Sequence, residues 1–75
     1  MGATIVVYTR PDCLYSEKLI RDLIEDGVEF KEIDLSLYPE FVEEAARLAG
    51  GEHVTPVMVN GDEVVVGYKG ISCAY

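Results

Sequence analysis

Basic residues are scarce in this sequence, and their scarcity excludes several classes of function. Lys and Arg number 6 against 14 Asp and Glu, which gives a formal net charge of -8 at pH 7. A nucleic-acid-binding surface needs clustered Lys and Arg to neutralise phosphates, and an anionic membrane surface repels an acidic chain. We therefore expect neither as a partner. The acidity serves solubility, or it steers the protein toward a basic patch on a partner protein.

Cysteine and histidine are also scarce. The sequence has 2 cysteines, Cys13 and Cys73, and 1 histidine, His53. Two cysteines near opposite ends of a chain do not make the dense framework of a disulfide-stapled domain. Together with a single histidine they do not make a zinc site, so we predict no metal site and interpret His53 as a solvated loop residue.

Long apolar runs and a secretory signal are not evident either. No stretch reaches the roughly 20 apolar residues that span a bilayer, and residues 1–4 lack the basic region that opens a secretory signal. We therefore expect a cytoplasmic location, where a thiol is more often catalytic than structural. The 75 residues, 49% of them hydrophobic, predict one small domain. We expect it to be a monomer.

Apolar periodicity predicts alternating strands and helices. Gly27 and the pair Gly50-Gly51 stand where helices should end, and Asp12 is predicted as the N-cap of the first helix. The turn Asn60-Gly61-Asp62 predicts a hairpin between the last two strands. The predicted elements are a strand at 3–8, a helix from 13 or 14 to 26, an edge strand at 28–34, a helix at 39–49, and strands at 57–59 and 63–66. This β-α-β-α-β-β order indicates an α/β fold with a mixed sheet.

Cys13 falls where the first strand gives way to the first helix. The unpaired N–H groups and positive dipole end of a helix favour an anion, which lowers the pKa of a thiol placed there. Arg10, a short step upstream, adds a positive charge. Because the thiolate is the nucleophilic form of cysteine, we predict Cys13 to be a redox-active nucleophile. The alternative is a small buried hydrophobe.

Three motifs, in this order, resemble the glutaredoxin family, which has the thioredoxin fold. They are the stretch at 8–16, the step Thr55-Pro56-Val57, and the turn Asn60-Gly61-Asp62 followed by Gly67-Tyr68. The resemblance extends from residue 3 to about residue 70. It implies a four-stranded mixed sheet with helices packed on it, the family's last helix being absent or cut to one turn. It also implies thiol–disulfide oxidoreductase activity.

The resemblance further implies how the site is built. In the family, the proline that matches Pro56 is cis and packs beside the active cysteine, so Thr55 would offer its backbone to an extended peptide or to glutathione. No tightly bound cofactor is implied, and glutathione would serve as reductant. The residues implied to bind glutathione or substrate are Arg10, Tyr15, Thr55, Pro56, Gly67 and Tyr68.

The active-site motif departs from both common patterns of the family. Members with two active cysteines have Cys-Pro-Tyr-Cys, whereas here Leu14 replaces the proline and Ser16 replaces the second cysteine. The monothiol members that bind iron–sulfur clusters usually have Cys-Gly-Phe-Ser, which Leu14 and Tyr15 do not match. Ser16 either donates a hydrogen bond to the Cys13 thiolate or is an ordinary residue of the first helical turn.

Cys73 offers a second thiol. The chain leaves its last strand near Gly67, and at about 3.3–3.6 Å per residue the tail can bring Cys73 back to Cys13. Gly67 and Gly70 ease the bend. Cys73 either resolves a mixed disulfide on Cys13 or is an incidental thiol. The ending Gly70-Ile71-Ser72-Cys73 is also similar to that of the UXX-star subgroup of glutaredoxin-like proteins, which often carry selenocysteine at the position of Cys13.

Three functions are compatible with these residues. In the first, the Cys13 thiolate attacks a protein disulfide or a glutathionyl mixed disulfide, and glutathione or Cys73 resolves the intermediate. In the second, the protein carries a [2Fe–2S] cluster held by Cys13 of two protomers and two glutathiones. In the third, it binds peptides and its thiol is idle. We predict the first, with disulfide-containing or glutathionylated proteins as partners.

Overall fold

The fold is a mixed four-stranded sheet with one helix on each face. The computed structural model describes residues 4–75, so residue 3, the predicted start of the first strand, and most of the segment considered for a signal lie outside it. The strands are β1 (Ile5–Thr9), β2 (Phe30–Asp34), β3 (Val54–Thr55), β4 (Val57–Asn60), β5 (Glu63–Val66) and β6 (Cys73–Ala74), and the helices are α1 (Leu14–Glu25) and α2 (Val42–Leu48). Among these helices none is long and apolar enough to cross a membrane.

The sheet has the strand order β2-β1-β4-β5. β1 and β2 are parallel and joined by α1, whereas β4 is antiparallel to β1 and to β5. This arrangement confirms the predicted β-α-β-α-β-β order and the predicted position of the second long strand at an edge. β3 and β6 form a separate two-stranded antiparallel ladder.

The main hydrophobic core lies between the sheet and α2. The strand register places Tyr8 opposite Ile33 on one side and opposite Val57 on the other, so the three side chains share a face of the sheet. Ala45 of α2 and Leu35, which follows β2, complete the buried cluster. Burial of these apolar groups holds β1 at the centre of the fold, and β1 leads directly into Cys13.

The opposite face of β1 lies against α1. Val7 and Thr9 point to this face and are 0% and 1% exposed. The Thr9 hydroxyl donates a hydrogen bond to Oε2 of Glu32 at 2.8 Å. Ser16 and Ile20 of α1 line a cavity of about 290 Å³ together with Thr9 and Glu32. The start of α1 is therefore anchored over the end of β1.

Glycines end both helices, as predicted. After α1 the N–H of Gly27 donates to the carbonyl of Ile24 at 3.1 Å, and the N–H of Val28 donates to that of Leu23 at 3.0 Å. This pair of bonds is a Schellman motif, and the φ of +71° at Gly27 is the left-handed conformation that the motif requires. The pair at 50–51 closes α2 in the same way, with φ angles of +76° and +96°.

Several predicted boundaries were wrong. The second helix begins as a 3-10 turn at Pro39–Phe41 and only then continues as α2. Residue 54 lies outside the predicted strands but belongs to β3, since it has a strand partner that the sequence did not reveal. The described tail, 67–75, contains no helix, in agreement with the prediction that the family's last helix is absent or shortened.

Candidate functional site

Cys13 is itself the N-cap of α1. Its backbone is extended, with φ -106° and ψ 109°, and its carbonyl accepts the N–H of Glu17 at 3.2 Å. The prediction of Asp12 as N-cap was therefore wrong: the helix starts one residue later than an Asp12 cap requires, and the Asp12 carboxylate lies 3.6 Å from Nε of Arg10. Cys13 therefore stands at the N-terminal end of α1, where the free N–H groups and the positive end of the helix dipole lie.

Cys13 is buried beside the loop that enters β4. Its side chain is only 2% exposed, and its Sγ lies 3.6 Å from the carbonyl oxygen of Thr55. The Thr55–Pro56 peptide bond is cis, in agreement with the expectation drawn from the resemblance. Thr55 is 0% exposed. The structure therefore brings Cys13 and the Thr55-Pro56 step together, as expected.

The chain after β5 returns to this loop through two bends. The N–H of Gly67 donates to the carbonyl of Pro56 at 2.7 Å. Tyr68 and Ile71 then exchange two backbone hydrogen bonds of 2.7 and 3.0 Å around a turn in which Lys69 and Gly70 have φ of +52° and +83°. The predicted bend at Gly67 and Gly70 is thus present, and it turns the tail back toward Cys13.

Cys73 reaches Cys13 and forms a disulfide with it. The two Cα atoms are 5.9 Å apart, although the residues are separated by 60 positions in the chain. β6 pairs antiparallel with β3, and Cys73 stands opposite Thr55 in the register. The tail therefore occupies the Thr55 backbone edge that the resemblance assigns to an extended peptide or to glutathione. Cys73 is half-buried, whereas Cys13 is buried.

Arg10 contacts the tail as well. Its guanidinium carbon lies 4.8 Å from the centroid of the Tyr75 ring. The His53 ring stacks on the same tyrosine, with centroids 5.5 Å apart and planes inclined by 13°. His53 is exposed, as predicted, but its contact with Tyr75 was not foreseen. A lone histidine and a lone tyrosine far apart in sequence carry no signal of stacking, and only the β3–β6 register brings them together.

The remaining predicted site residues lie on α1 and on the chain after β5. Ser16 is 2% exposed and its Oγ has no hydrogen-bond partner. Tyr15 is half-buried, with its ring centroid 6.0 Å from Nζ of Lys18. The Tyr68 hydroxyl donates to Oδ2 of Asp22, and this hydrogen bond raises the pKa of Tyr68 above its ordinary value. Tyr68 thus ties the chain after β5 to α1.

In the structure, the Cys13 sulfur is not available to a [2Fe–2S] cluster, because Cys13 is buried and bonded to Cys73. Within residues 4–75 no group of three or more His, Cys, Asp or Glu side chains is arranged to hold a metal ion.

Comparison with known proteins now decides the family. The family model described as Glutaredoxin matches residues 5–65. The chain belongs to the glutaredoxin family. No curated protein matches the sequence of this glutaredoxin. The protein is a thiol–disulfide oxidoreductase, since it belongs to this family and has a cysteine pair that forms a disulfide.

Solved structures agree with this assignment and confirm the thioredoxin-like fold. A glutaredoxin from Archaeoglobus fulgidus has a TM-score of 0.78 and 25% identity, over 88% of this chain and 76% of that one. The glutaredoxin-like protein NrdH-redoxin from Escherichia coli has a TM-score of 0.74 and 33% identity, over 88% and 84% of the two chains. A glutaredoxin from Brucella melitensis has a TM-score of 0.70 and 33% identity, over 88% and 71%.

Proposed function

We propose that this glutaredoxin is a two-cysteine oxidoreductase in which Cys13 attacks and Cys73 resolves. The observation that supports the proposal most strongly is the disulfide between Cys13 and Cys73, with Cys73 held opposite Thr55 in a strand ladder. The usual second cysteine of the motif is Ser16 here, and the tail supplies the missing thiol from the other end of the chain.

The proposed reaction has two exchange steps. In the first, the Cys13 thiolate attacks one sulfur of a substrate disulfide, forms a mixed disulfide with it and releases the other sulfur as a thiolate. In the second, Cys73 loses its proton and attacks Sγ of Cys13. The Cys13–Cys73 disulfide forms, and the substrate leaves with both of its sulfurs reduced. The substrate has gained two electrons and the protein has lost two.

Recycling then requires an external thiol. We propose that it attacks Cys73, because that residue is less buried than Cys13 and because the N-terminal end of α1 would stabilise Cys13 as the leaving thiolate. A second thiol then reduces the mixed disulfide on Cys73. Glutathione is one such reductant. A protein reductase is the other, and the NrdH-redoxin of Escherichia coli, described as having a thioredoxin-like activity profile, supports it.

The substrates that this site suits are protein disulfides and glutathionyl mixed disulfides. A substrate segment would pair with Thr55 along the edge that β6 uses, so the tail would leave this edge when the substrate docks and return to it when Cys73 attacks the mixed disulfide. We propose that Arg10, Tyr15 and Tyr68 contact the substrate or glutathione while the tail is released. Ser16 would support the Cys13 thiolate from the first turn of α1. We further propose a cytoplasmic monomer related to the UXX-star subgroup.

Intact mass after treatment with oxidised glutathione tests the proposal. For the wild type we expect loss of two hydrogen atoms and no stable adduct, because Cys73 displaces glutathione from Cys13. For Cys73→Ser we expect one glutathione adduct, located on Cys13 by peptide mapping. A stable adduct on Cys13 in both proteins would show that Cys73 does not resolve it and would leave a monothiol mechanism.

A further inference from the structure

Tyr75 attaches the tail at a second point beyond the disulfide. Its ring lies between the guanidinium of Arg10, at 4.8 Å, and the imidazole of His53, at 5.5 Å. Its backbone N–H donates to the carbonyl of His53 at 2.9 Å, which extends the β3–β6 ladder by one hydrogen bond. The ring also packs against the main hydrophobic core. Four contacts of different kinds therefore converge on one tail residue.

The two attachment points of the tail, Cys73 and Tyr75, meet two residues of one turn, Cys13 and Arg10. Side chains two residues apart on a strand share a face, so Cys73 and Tyr75 face the same way from the extended tail. Opposite them, the N–H of Cys13 donates to the carbonyl of Arg10 at 3.2 Å, which folds these two residues into one tight turn. The sulfur and the guanidinium are thus presented side by side to Cys73 and to the Tyr75 ring.

We propose that Tyr75 is a positioning residue for the resolving step. The proposal rests on the proposed function, in which Cys73 attacks the mixed disulfide on Cys13. Once the Cys13–Cys73 bond is open, nothing covalent holds the tail beside the site. The contacts of Tyr75 with Arg10 and His53 then keep the Cys73 thiol near Cys13 and raise its effective concentration there, without touching either sulfur.

The same contacts compete with glutathione. The resemblance implies that Arg10 binds glutathione or substrate, and the Tyr75 ring lies against its guanidinium. A docked tail therefore both presents Cys73 and withdraws Arg10 from glutathione. Loss of the Tyr75 ring should have two linked results: slower resolution by Cys73, and a longer-lived glutathione adduct on Cys13.

The ring rather than the hydroxyl carries the proposed role. The Tyr75 hydroxyl is buried without a hydrogen-bond partner, so its removal sacrifices no polar contact and relieves an unsatisfied group. Tyr75→Phe keeps the stacking and the contact with the guanidinium, since both depend on the aromatic face. Tyr75→Ala removes them. The pair of variants separates an aromatic anchor from a polar one.

The experiment measures the equilibrium between dithiol and disulfide protein in glutathione buffers of defined composition. Acid quenching and intact mass give the fractions of reduced protein, internal disulfide and glutathione adduct. We expect Tyr75→Ala to lower the equilibrium constant for the internal disulfide at least tenfold and to accumulate adduct. Tyr75→Phe should stay within twofold of the wild type, and His53→Ala should fall between them. Tyr38→Ala, at an exposed tyrosine far along the chain, is the matched control.

A second readout separates positioning from damage to the nucleophile. The rate at which iodoacetamide alkylates Cys13 is compared in Cys73→Ser and in Cys73→Ser with Tyr75→Ala, and we expect the double variant to react at least as fast, because an undocked tail leaves Cys13 more accessible. An unchanged disulfide equilibrium in Tyr75→Ala would overturn the proposal for Tyr75 alone. A slower alkylation of Cys13 in the double variant would overturn it as well, because it would show damage to the nucleophile. Absence of an internal disulfide in the wild type would instead overturn the resolving role of Cys73 and the Tyr75 proposal with it.

Discussion

At the scale of single residues, Gly67 is a position where the backbone leaves no room for a side chain. Its φ is +87°, and a Cβ built on it would lie 2.8 Å from the carbonyl oxygen of Ile71. Gly70, in the same tail, has φ +83° but nothing within 4 Å of a built Cβ. The two glycines therefore separate backbone strain from a steric clash with the returning tail.

We expect the two alanine substitutions to differ in cost. Gly70→Ala should cost about 1–2 kcal/mol of unfolding free energy, because an L-residue is strained in the left-handed region. Gly67→Ala should cost about 1–3 kcal/mol more, as overpacking does. Urea unfolding of the oxidised and reduced proteins measures both. The additional cost should appear in both redox states, because the hydrogen bonds between Tyr68 and Ile71 hold the Ile71 carbonyl beside residue 67 without the disulfide, and equal costs for the two substitutions would contradict this explanation.

At the scale of elements, a single hydrogen bond links the central strand to α2. The Tyr8 hydroxyl donates to Oε2 of Glu44 at 2.7 Å, and the tyrosine is 4% exposed. Desolvation, followed by this hydrogen bond, raises the pKa of Tyr8 to about 12. Because β1 positions Cys13 and α2 covers the core, this contact joins the strand that carries the nucleophile to the opposite layer.

Alkaline titration tests this link. The pKa of Tyr8 is raised from 10.0 to about 12, so between these values the folded protein binds more protons than the unfolded chain. The contribution is fully present below pH 10 and is lost as the pH approaches 12. We expect the unfolding free energy to fall across this window, and to fall less steeply in Tyr8→Phe. At pH 7 the variant should lose about 1 kcal/mol. Parallel pH profiles for the two proteins would assign the alkaline loss to other groups.

The main sheet could be predicted from sequence, and the small ladder could not. β1, α1 and the hairpin after β4 follow from local signals: an apolar run, a 3.6-residue period ended by Gly27, and a Gly61-Asp62 turn. β3 and β6 have only two residues each and pair across 18 or more positions of chain. Strands that short have no periodicity, so their pairing depends on tertiary contacts alone.

The candidate site, too, could be predicted only in part from the sequence. Cys13, Thr55-Pro56 and the reach of Cys73 could be predicted from a strand–helix junction, a family motif and chain length. The contacts of Tyr75 with Arg10 and His53 could not, because a stacking contact needs both rings at fixed distance and angle. The wrong N-cap has a similar cause: Asp12 has the preferred side chain, but the turn after Arg10 starts the helix one residue later.

At the scale of the whole molecule, the disulfide joins the two ends of a very small domain. It spans 60 positions of a 75-residue chain. In the unfolded state such a cross-link restricts nearly the entire chain, which in the loop-entropy account is equivalent to about 4 kcal/mol of stabilisation. A domain of this size has a small core, so the redox state of the cysteine pair should dominate its stability.

We therefore expect the oxidised protein to exceed the reduced protein by about 4 kcal/mol in unfolding free energy, with the difference measured by urea denaturation in the presence and absence of a strong thiol reductant. Cys73→Ser should match the reduced wild type under both conditions.

By thermodynamic linkage, the same difference in unfolding free energy measures how much more readily the cysteines pair in the folded protein than in the unfolded chain. If Tyr75 holds the reduced tail in place, Tyr75→Ala lowers the equilibrium constant for the disulfide in the folded protein. The difference in unfolding free energy between the oxidised and reduced proteins must then shrink by RT times the logarithm of that fold-change. Two independent measurements, one of unfolding and one of thiol exchange, would then have to agree, and a Tyr75→Ala variant that changed neither of them would show that the tail is ordered by the disulfide alone.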